Sequence, residues 1–281
     1  MSWLIPGWAK ERHFDMIERG RKHPTPLGGS IFIGLRSIEP ALQYAILARG
    51  VGSAVLQTLH MDALPATTAG LAATTMGVAA IDALGLSPAA LILLAMSVGA
   101  AAKQAYWRAA LTAEEMPPKT AVELSLFNAV SNAVNTLAFC SAGFSSLRYG
   151  PLPLPGGIAS SLPAPVVVGA ALYAVGLALE WYGEVQRAAF KADARNAGKP
   201  CMRGLWAYAR HVNYGGYTLW RAGFAMAGAG WWYGAFVGVF FLWDFSTRGV
   251  VVLDKYCSER YGEAWTRFKQ QTPHTLIPFL W

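Results

Sequence analysis

Apolar residues fall into seven runs bounded by charge, proline or glycine: residues 40–59, 67–84, 88–107, 121–143, 164–183, 214–230 and 232–247. A helix needs about 20 mostly apolar residues to cross the hydrocarbon core, so the pattern predicts about seven transmembrane segments. Between the runs there is no sustained alternation of the kind a membrane barrel requires, and the expected fold is an all-α polytopic bundle. The last two runs are short and divided by "GAGWWYG", which suggests a hairpin buried in protein rather than two lipid-facing spans. One integral-membrane domain over residues 40–281 follows, with its polar face in the 164–281 region and a polar, interfacial segment at 1–39.

Composition supports this placement. The 281 residues are 54% hydrophobic and 14% charged, against roughly 25% charge in soluble domains. The net charge of +7 would suit nucleic acid, but Lys and Arg gather between the apolar runs, as membrane orientation requires. Nucleic acid is therefore not an expected partner. Positions 103, 108 and 119, the row from 187 to 210, and positions 248 to 269 mark three cytosolic segments, whereas the Pro/Ser/Gly-rich stretch at 145–165 suits the lumen. Seven spans with a cytosolic C-terminus would put the N-terminus in the lumen, against six Lys/Arg in residues 1–36. Either a further pass lies near 28–45 or that segment rests on the membrane surface. No cleavable signal peptide is expected, and Cys140, Cys201 and Cys257 are too scattered to signal a disulfide framework or a metal site.

Chemistry enters at three places. In "LFNAVSNAVNTLAF", Asn128, Asn132 and Asn135 share one helical stripe; three amides face lipid only at high cost, so they either bond neighbouring helices or line a polar cavity. In "EVQRAAFKADAR", Arg187, Lys191 and Arg195 form a row on one helix face. Such a row is a membrane flank, or a seat for a cofactor carrying several phosphates. In "GLWAYARHVNYGGYTLWR", Arg210 can hold a phosphate, His211 and Asn213 an amide or ribose, and Tyr214 can stack, while Gly215 and Gly216 permit close approach to the backbone. Lys103, Gln104, Tyr106 and Trp107 read as interfacial anchors. Tyr261 and Trp265, in an amphipathic C-terminal stretch, could close over a bound ring.

Together, "EVQRAAFK", "GLWAYARHVNYGGY", "CSERYGEAWTRF" and the terminal "IPFLW" resemble, in order and spacing, the C-terminal third of the steroid 5-alpha-reductase-like and sterol C14 reductase superfamily, including fungal DUF1295-type membrane proteins. The resemblance implies a multi-pass enzyme of the endoplasmic reticulum membrane. It would bind NADPH from the cytosolic side and reduce a carbon–carbon double bond in a sterol or related lipid. Arg187 and Lys191 would then meet the cofactor's phosphates, and Arg210, His211, Asn213 and Tyr214 would form its pocket. Asp254, Tyr261 and Trp265 fall in the terminal cofactor-side motif. Membrane lipids and the lipid substrate are the implied partners, with no metal.

The chain departs from that pattern at informative positions. Tyr217 stands where the reductases place an acid, Glu184 where they place Asn, Val212 where they place Pro, and Phe268 lacks a usual hydroxyl. Arg187 and Lys191 exchange the usual order. In the reductase reading Tyr217 is the expected proton donor to a substrate receiving hydride, in a cavity lined by Asn128, Asn132 and Asn135. Two alternatives stand beside it: an S-adenosylmethionine-dependent membrane methyltransferase of the isoprenylcysteine or phospholipid type, and a non-catalytic sterol-binding scaffold. The methyltransferases usually carry paired glutamates after the final hairpin, and "VVVLDKYCSERYG" has none.

Overall fold

In the computed structural model, which describes residues 20–65, 75–152 and 162–280, prolines and one serine set where the long helices begin. Helix α1, Pro26–Ala48, opens on a proline and is followed by the short α2, Val51–Thr58, and a single turn, α3, Ala79–Asp82. Ser87 caps α4, Pro88–Tyr106, by accepting from the Ala90 amide at 3.1 Å, and α4 runs on through a wider turn to Leu111. Helices α5, Pro118–Cys140, and α6, Ala164–Ala192, each carry a proline in the first turn, where a missing N–H leaves no helical bond unmade. Then come α7, Val212–Ala229, and α8, Trp231–Asp244, which continues through a wide turn into α9, Val250–Tyr261, before the amphipathic α10, Glu263–Gln271.

Helix α7 is the axis of the bundle: 12 of its 18 residues are buried. It lies in its most extensive contact against α6, with α5 and α8 on its other sides, and α1 packs on α4 and α5. The α6–α7 seam is lined by Gly169 and Gly176 facing Gly223 and Gly216, so the two backbones touch. Small residues are what allow helices to pack this closely in lipid, where burying apolar surface against a neighbour brings no gain over burying it in lipid. Tyr173, Trp220 and Phe224 fill the space beside the seam, with edge-on ring contacts at 6.0 and 6.1 Å. Gly230, at φ 85, turns the chain between α7 and α8.

Among the described residues, four stretches are long and apolar enough to cross a membrane: Pro26–Ala48, Pro88–Leu111, Ala164–Ala192 and Trp231–Tyr261. The protein is thus an all-helical membrane bundle, with no strand among the described residues. The seven expected runs map unevenly onto it. The run at 40–59 is replaced by a helix beginning at Pro26; Arg36, Glu39 and Gln43 hide it from a hydropathy window because they face inward and are buried. Of the run at 67–84, residues 67–74 lie outside the described residues and the remainder forms only the turn α3. The expected closing hairpin forms at Gly230, but only its first arm is buried in protein, since α8 joins α9 in a 31-residue span whose apolar window is only 11% buried. Residues 1–19 of the expected interfacial segment lie outside the described residues.

Candidate active site

Two polar regions meet end to end along α7. The first lies at the Lys/Arg-rich end, where α6 runs past the start of α7. Here Glu184, 4% exposed, is the hub. It is ion-paired with Arg187 one turn along α6 and accepts from the Asn213 side-chain amide at 2.9 Å. Arg187 also lies over the Trp206 ring at 5.6 Å, and Trp206 donates its indole N–H to the Gly183 carbonyl at 2.8 Å. Asn213 Oδ1 is buried with no hydrogen-bond partner among the described residues. A buried acceptor left unmade costs about 1–3 kcal/mol, so this atom is suited to a donor from a ligand.

Aromatic rings form the wall beside this hub. Tyr214 stacks face to face on Phe245 at 4.3 Å and 9°, and on the buried His211 at 5.8 Å. Trp265 tilts against His211 at 6.1 Å and donates to Asp254 Oδ1 at 2.8 Å, with Lys269 paired to the same carboxylate at 3.1 Å. Tyr261 packs behind, against the cluster of Cys201, Trp206 and Val212. His211, Asn213, Tyr214, Asp254, Tyr261 and Trp265 are thus brought into one neighbourhood.

The cations expected to hold phosphates are mostly committed to other partners. Arg187 is paired with Glu184, and Arg195 binds Asp193, whose carboxyl it holds below the usual range. Lys191 remains an exposed cation at the end of α6. Arg210 turns to the C-terminal tail, donating to the carbonyls of Thr272 and Pro273 and, at 3.1 Å, to Thr275 Oγ1. Backbone bonds from Arg210 to His274 and from His211 to Thr275 complete the strap, and burial draws the Arg210 pKa down from its ordinary value. Neither glycine of "NYGG" faces open space: a Cβ on Gly215 would strike the Leu276 carbonyl, and one on Gly216 the α6 backbone. Replacing Arg210 with Ala should release the tail and lower stability by about 1–3 kcal/mol, the scale for losing charged hydrogen bonds. The check is thermal unfolding together with limited proteolysis at residues 272–280; a tail as resistant as wild type would return Arg210 to a ligand-binding role.

The second region is a polar network inside the bundle. Arg221, on α7, donates to Asn128, to Asn132 Oδ1 at 3.1 Å and to the Tyr217 hydroxyl at 2.9 Å. The ring faces of Trp220 and Tyr217 lie 4.3 and 5.1 Å from its guanidinium carbon. Asn132 donates in turn to Glu39 at 3.2 Å, which also receives Gln43 at 2.6 Å and Ser97 at 2.8 Å. Asn128 and Asn132 therefore belong to this network. Asn135 is buried where its backbone meets Gly228. Tyr217 joins the two regions: its oxygen is held by Arg221 while its ring packs edge-on against Phe245 at 5.5 Å.

Several of these residues escaped the sequence pattern. Arg221 sits inside an apolar run, and a charge in a span marks a polar interior by default. Arg36, Glu39 and Gln43 recur at helical spacing. Lys103 and Gln104 are not interfacial anchors, because the first is ion-paired to Glu180 within the bundle and the second donates to Asn128 at 2.8 Å.

Residues 155–272, which carry the whole of the first region, match the family model described as a protein of unknown function, DUF1295. The chain is also 36% identical over 257 residues to the "Probable O-methyltransferase ustE" of Ustilaginoidea virens, an alignment covering 90% of this chain and 87% of the relative. The chain belongs to the DUF1295 family. In this DUF1295 protein the match runs from just before α6 to just after α10, taking in Glu184, Asn213 and the aromatic wall.

Proposed function

We propose that this protein is a membrane-embedded O-methyltransferase that uses S-adenosylmethionine and acts on a lipophilic substrate. The observation that carries the reading is the pairing of charges around Glu184. Glu184 neutralises Arg187 and Asp193 neutralises Arg195, so a cofactor with several phosphates would have to compete with built-in carboxylates. A ligand carrying a sulfonium and an ammonium group meets favourable chemistry instead. Glu184 and Asp254 offer it carboxylates whose present partners, Arg187 and Lys269, are partly exposed and can turn to water, and an aromatic wall favours a cation through the ring quadrupole. The relative named as a probable O-methyltransferase supports the same choice.

The cofactor supplies an electrophilic methyl group. The protein's part is to bind and orient. Asn213 Oδ1 would accept a donor from the cofactor, and Glu184 fixes the Asn213 amide through its other end. Tyr217 serves as a positioning residue between the two polar regions, with its hydroxyl oxygen held by Arg221. The surrounding rings, His211 and Trp265 buried and Tyr214 and Phe245 half-buried, would limit water around a reactive sulfonium. Residence in the endoplasmic reticulum membrane is part of the same proposal.

Thermal unfolding of the detergent-purified protein tests the reading. S-adenosylmethionine at a hundred times its dissociation constant should stabilise by about 2.7 kcal/mol, and NADPH should not. Stabilisation by NADPH alone would overturn the reading in favour of a lipid double-bond reductase. A response to neither would leave a non-catalytic binding protein.

A further inference from the structure

The end of α7 farthest from Glu184 and Asn213 borders a second cavity. Ala229 follows Asn213 by 16 residues on this helix, about 24 Å at 1.5 Å per residue. Around Ala229, between α2, the close of α5 and the start of α8, lies a groove of about 800 Å³. Its size is that of a small-molecule pocket, about 300–1,000 Å³, but its walls do not close.

The walls are apolar, with Leu56, Val134, Leu137, Phe144 and Trp232 among them. Leu56 is buried, whereas Phe144 and Trp232 are 60% and 84% exposed. A pocket for a water-borne ligand covers about 70–90% of that ligand's surface, which a groove open along such residues cannot do. A chain belonging to the bilayer needs no such cover, because neighbouring lipid completes its surroundings. The occupant is therefore an amphiphile of the membrane.

One charge is built into the lining. Arg148 is exposed at the groove and donates to the carbonyl of Gly143, itself a lining residue. No carboxylate among the described residues pairs with it. The segment that carries Arg148 is fixed at several points. Ser146 donates its hydroxyl to the Ala227 carbonyl on α7 at 2.6 Å, Ser145 Oγ accepts from the Leu147 amide at 3.2 Å, and the Ala142 amide donates to the Asp62 carbonyl at 2.9 Å. Tyr149 presses its ring on Gly230, where a Cβ would lie 2.3 Å from it. The guanidinium is thus held beside the groove with most of its five N–H donors unused by protein, and such a planar fork fits phosphate oxygens.

The neighbouring rings indicate where that phosphate comes from. Tyr149 meets Trp231 edge-on at 6.5 Å, next to the exposed Trp232. Clustered Trp and Tyr at the end of a span mark the level of the lipid headgroups, and at that level every glycerophospholipid carries a phosphate above its acyl chains.

We propose that the groove holds an acyl chain of a glycerophospholipid whose phosphate is bound by Arg148, a lipid site that braces α2, α5 and α8 at the end of α7. The site is separated from the Glu184 hub by the length of α7 and does not rest on the methyl-transfer reading.

The test uses the full chain, stripped of lipid in dodecyl maltoside, with thermal unfolding as the readout. Dioleoylphosphatidylglycerol is titrated against dioleoylglycerol, which has the same chains and no phosphate, with oleate and inorganic phosphate as controls. The phospholipid should raise the unfolding midpoint and bind about tenfold or more tightly than dioleoylglycerol, and Arg148→Gln should erase the difference. Should Arg148→Gln elute aggregated, Val134→Trp fills the groove from its apolar side and leaves Arg148 in place. It should weaken phospholipid binding by about tenfold. Equal binding of the two lipids, binding of neither, a preference that survives Arg148→Gln, or unchanged affinity in Val134→Trp overturns the site. Inorganic phosphate giving the full response would leave the groove without a part, and oleate matching the phospholipid would make this a fatty-acid site; either result rejects the phospholipid.

Discussion

Gly216→Val should yield a protein that does not fold, with almost no monodisperse material in detergent and no cooperative thermal transition. A Cβ at Gly216 would lie 2.6 Å from both the Glu180 amide nitrogen and the Gly176 carbonyl oxygen. Those atoms are α6 backbone, which cannot turn aside as a side chain can. Relief requires α6 and α7 to move apart along the seam that holds the axis of the bundle, and Trp220, Tyr173 and Phe224 would lose their packing together. Single substitutions costing more than about 4 kcal/mol come from overpacking of this kind. A Gly216→Val protein with a wild-type unfolding midpoint would show that the seam is not as close as described. Gly238→Val is the control: a Cβ there meets only the Ala222 methyl at 3.2 Å, so the change should be tolerated far better.

The same glycine shows what sequence could and could not disclose. Gly215 and Gly216 were legible as places of close approach, because only glycine lets another group reach the backbone. What approaches was not legible. Both are met by protein, Gly215 by the Leu276 carbonyl and Gly216 by α6, and a motif cannot tell a backbone from a ligand. Arg210 repeats the lesson. Its residue type suited a phosphate, but its partners lie more than sixty positions away, in the tail at Thr272, Pro273 and Thr275.

Hydropathy found the lipid-facing α4 and α6 and also α5 and the buried α7, at 121–143 and 214–230, but misplaced α1. Residues 88–107 and 164–183 were placed well, since α4 and α6 carry long apolar surfaces. Helix α1 was misplaced by more than a turn because Arg36, Glu39 and Gln43 interrupt its window. Glu39 and Gln43 read as polar only in the absence of Ser97, Asn132 and Thr136, which donate to them. The Asn stripe of α5 was readable as inward-facing, yet Arg221, the group it serves, sits 93 residues from Asn128. Pairings at that separation depend on topology, which local periodicity does not encode.

Glu184→Gln should weaken S-adenosylmethionine binding about 30- to 100-fold while leaving the fold in place. A close charge pair in a buried setting couples by about 1.5–7 kcal/mol, and the lower part of that range applies here because the side chain of Arg187, the present partner, is 34% exposed. For the same reason the loss of stability should be small, since Arg187 can turn to water once its carboxylate is gone. Glutamine keeps the volume and can still accept from Asn213, so the change isolates charge from shape. It also removes the carboxylate paired with Arg187 beside Lys191, and NADPH affinity should rise as S-adenosylmethionine affinity falls. Parallel titrations of both cofactors on the two proteins measure the exchange. A sulfonium ligand that binds the variant as tightly as wild type would mean that Glu184 only braces Asn213, and the charge-based choice between the two cofactors would lose its footing.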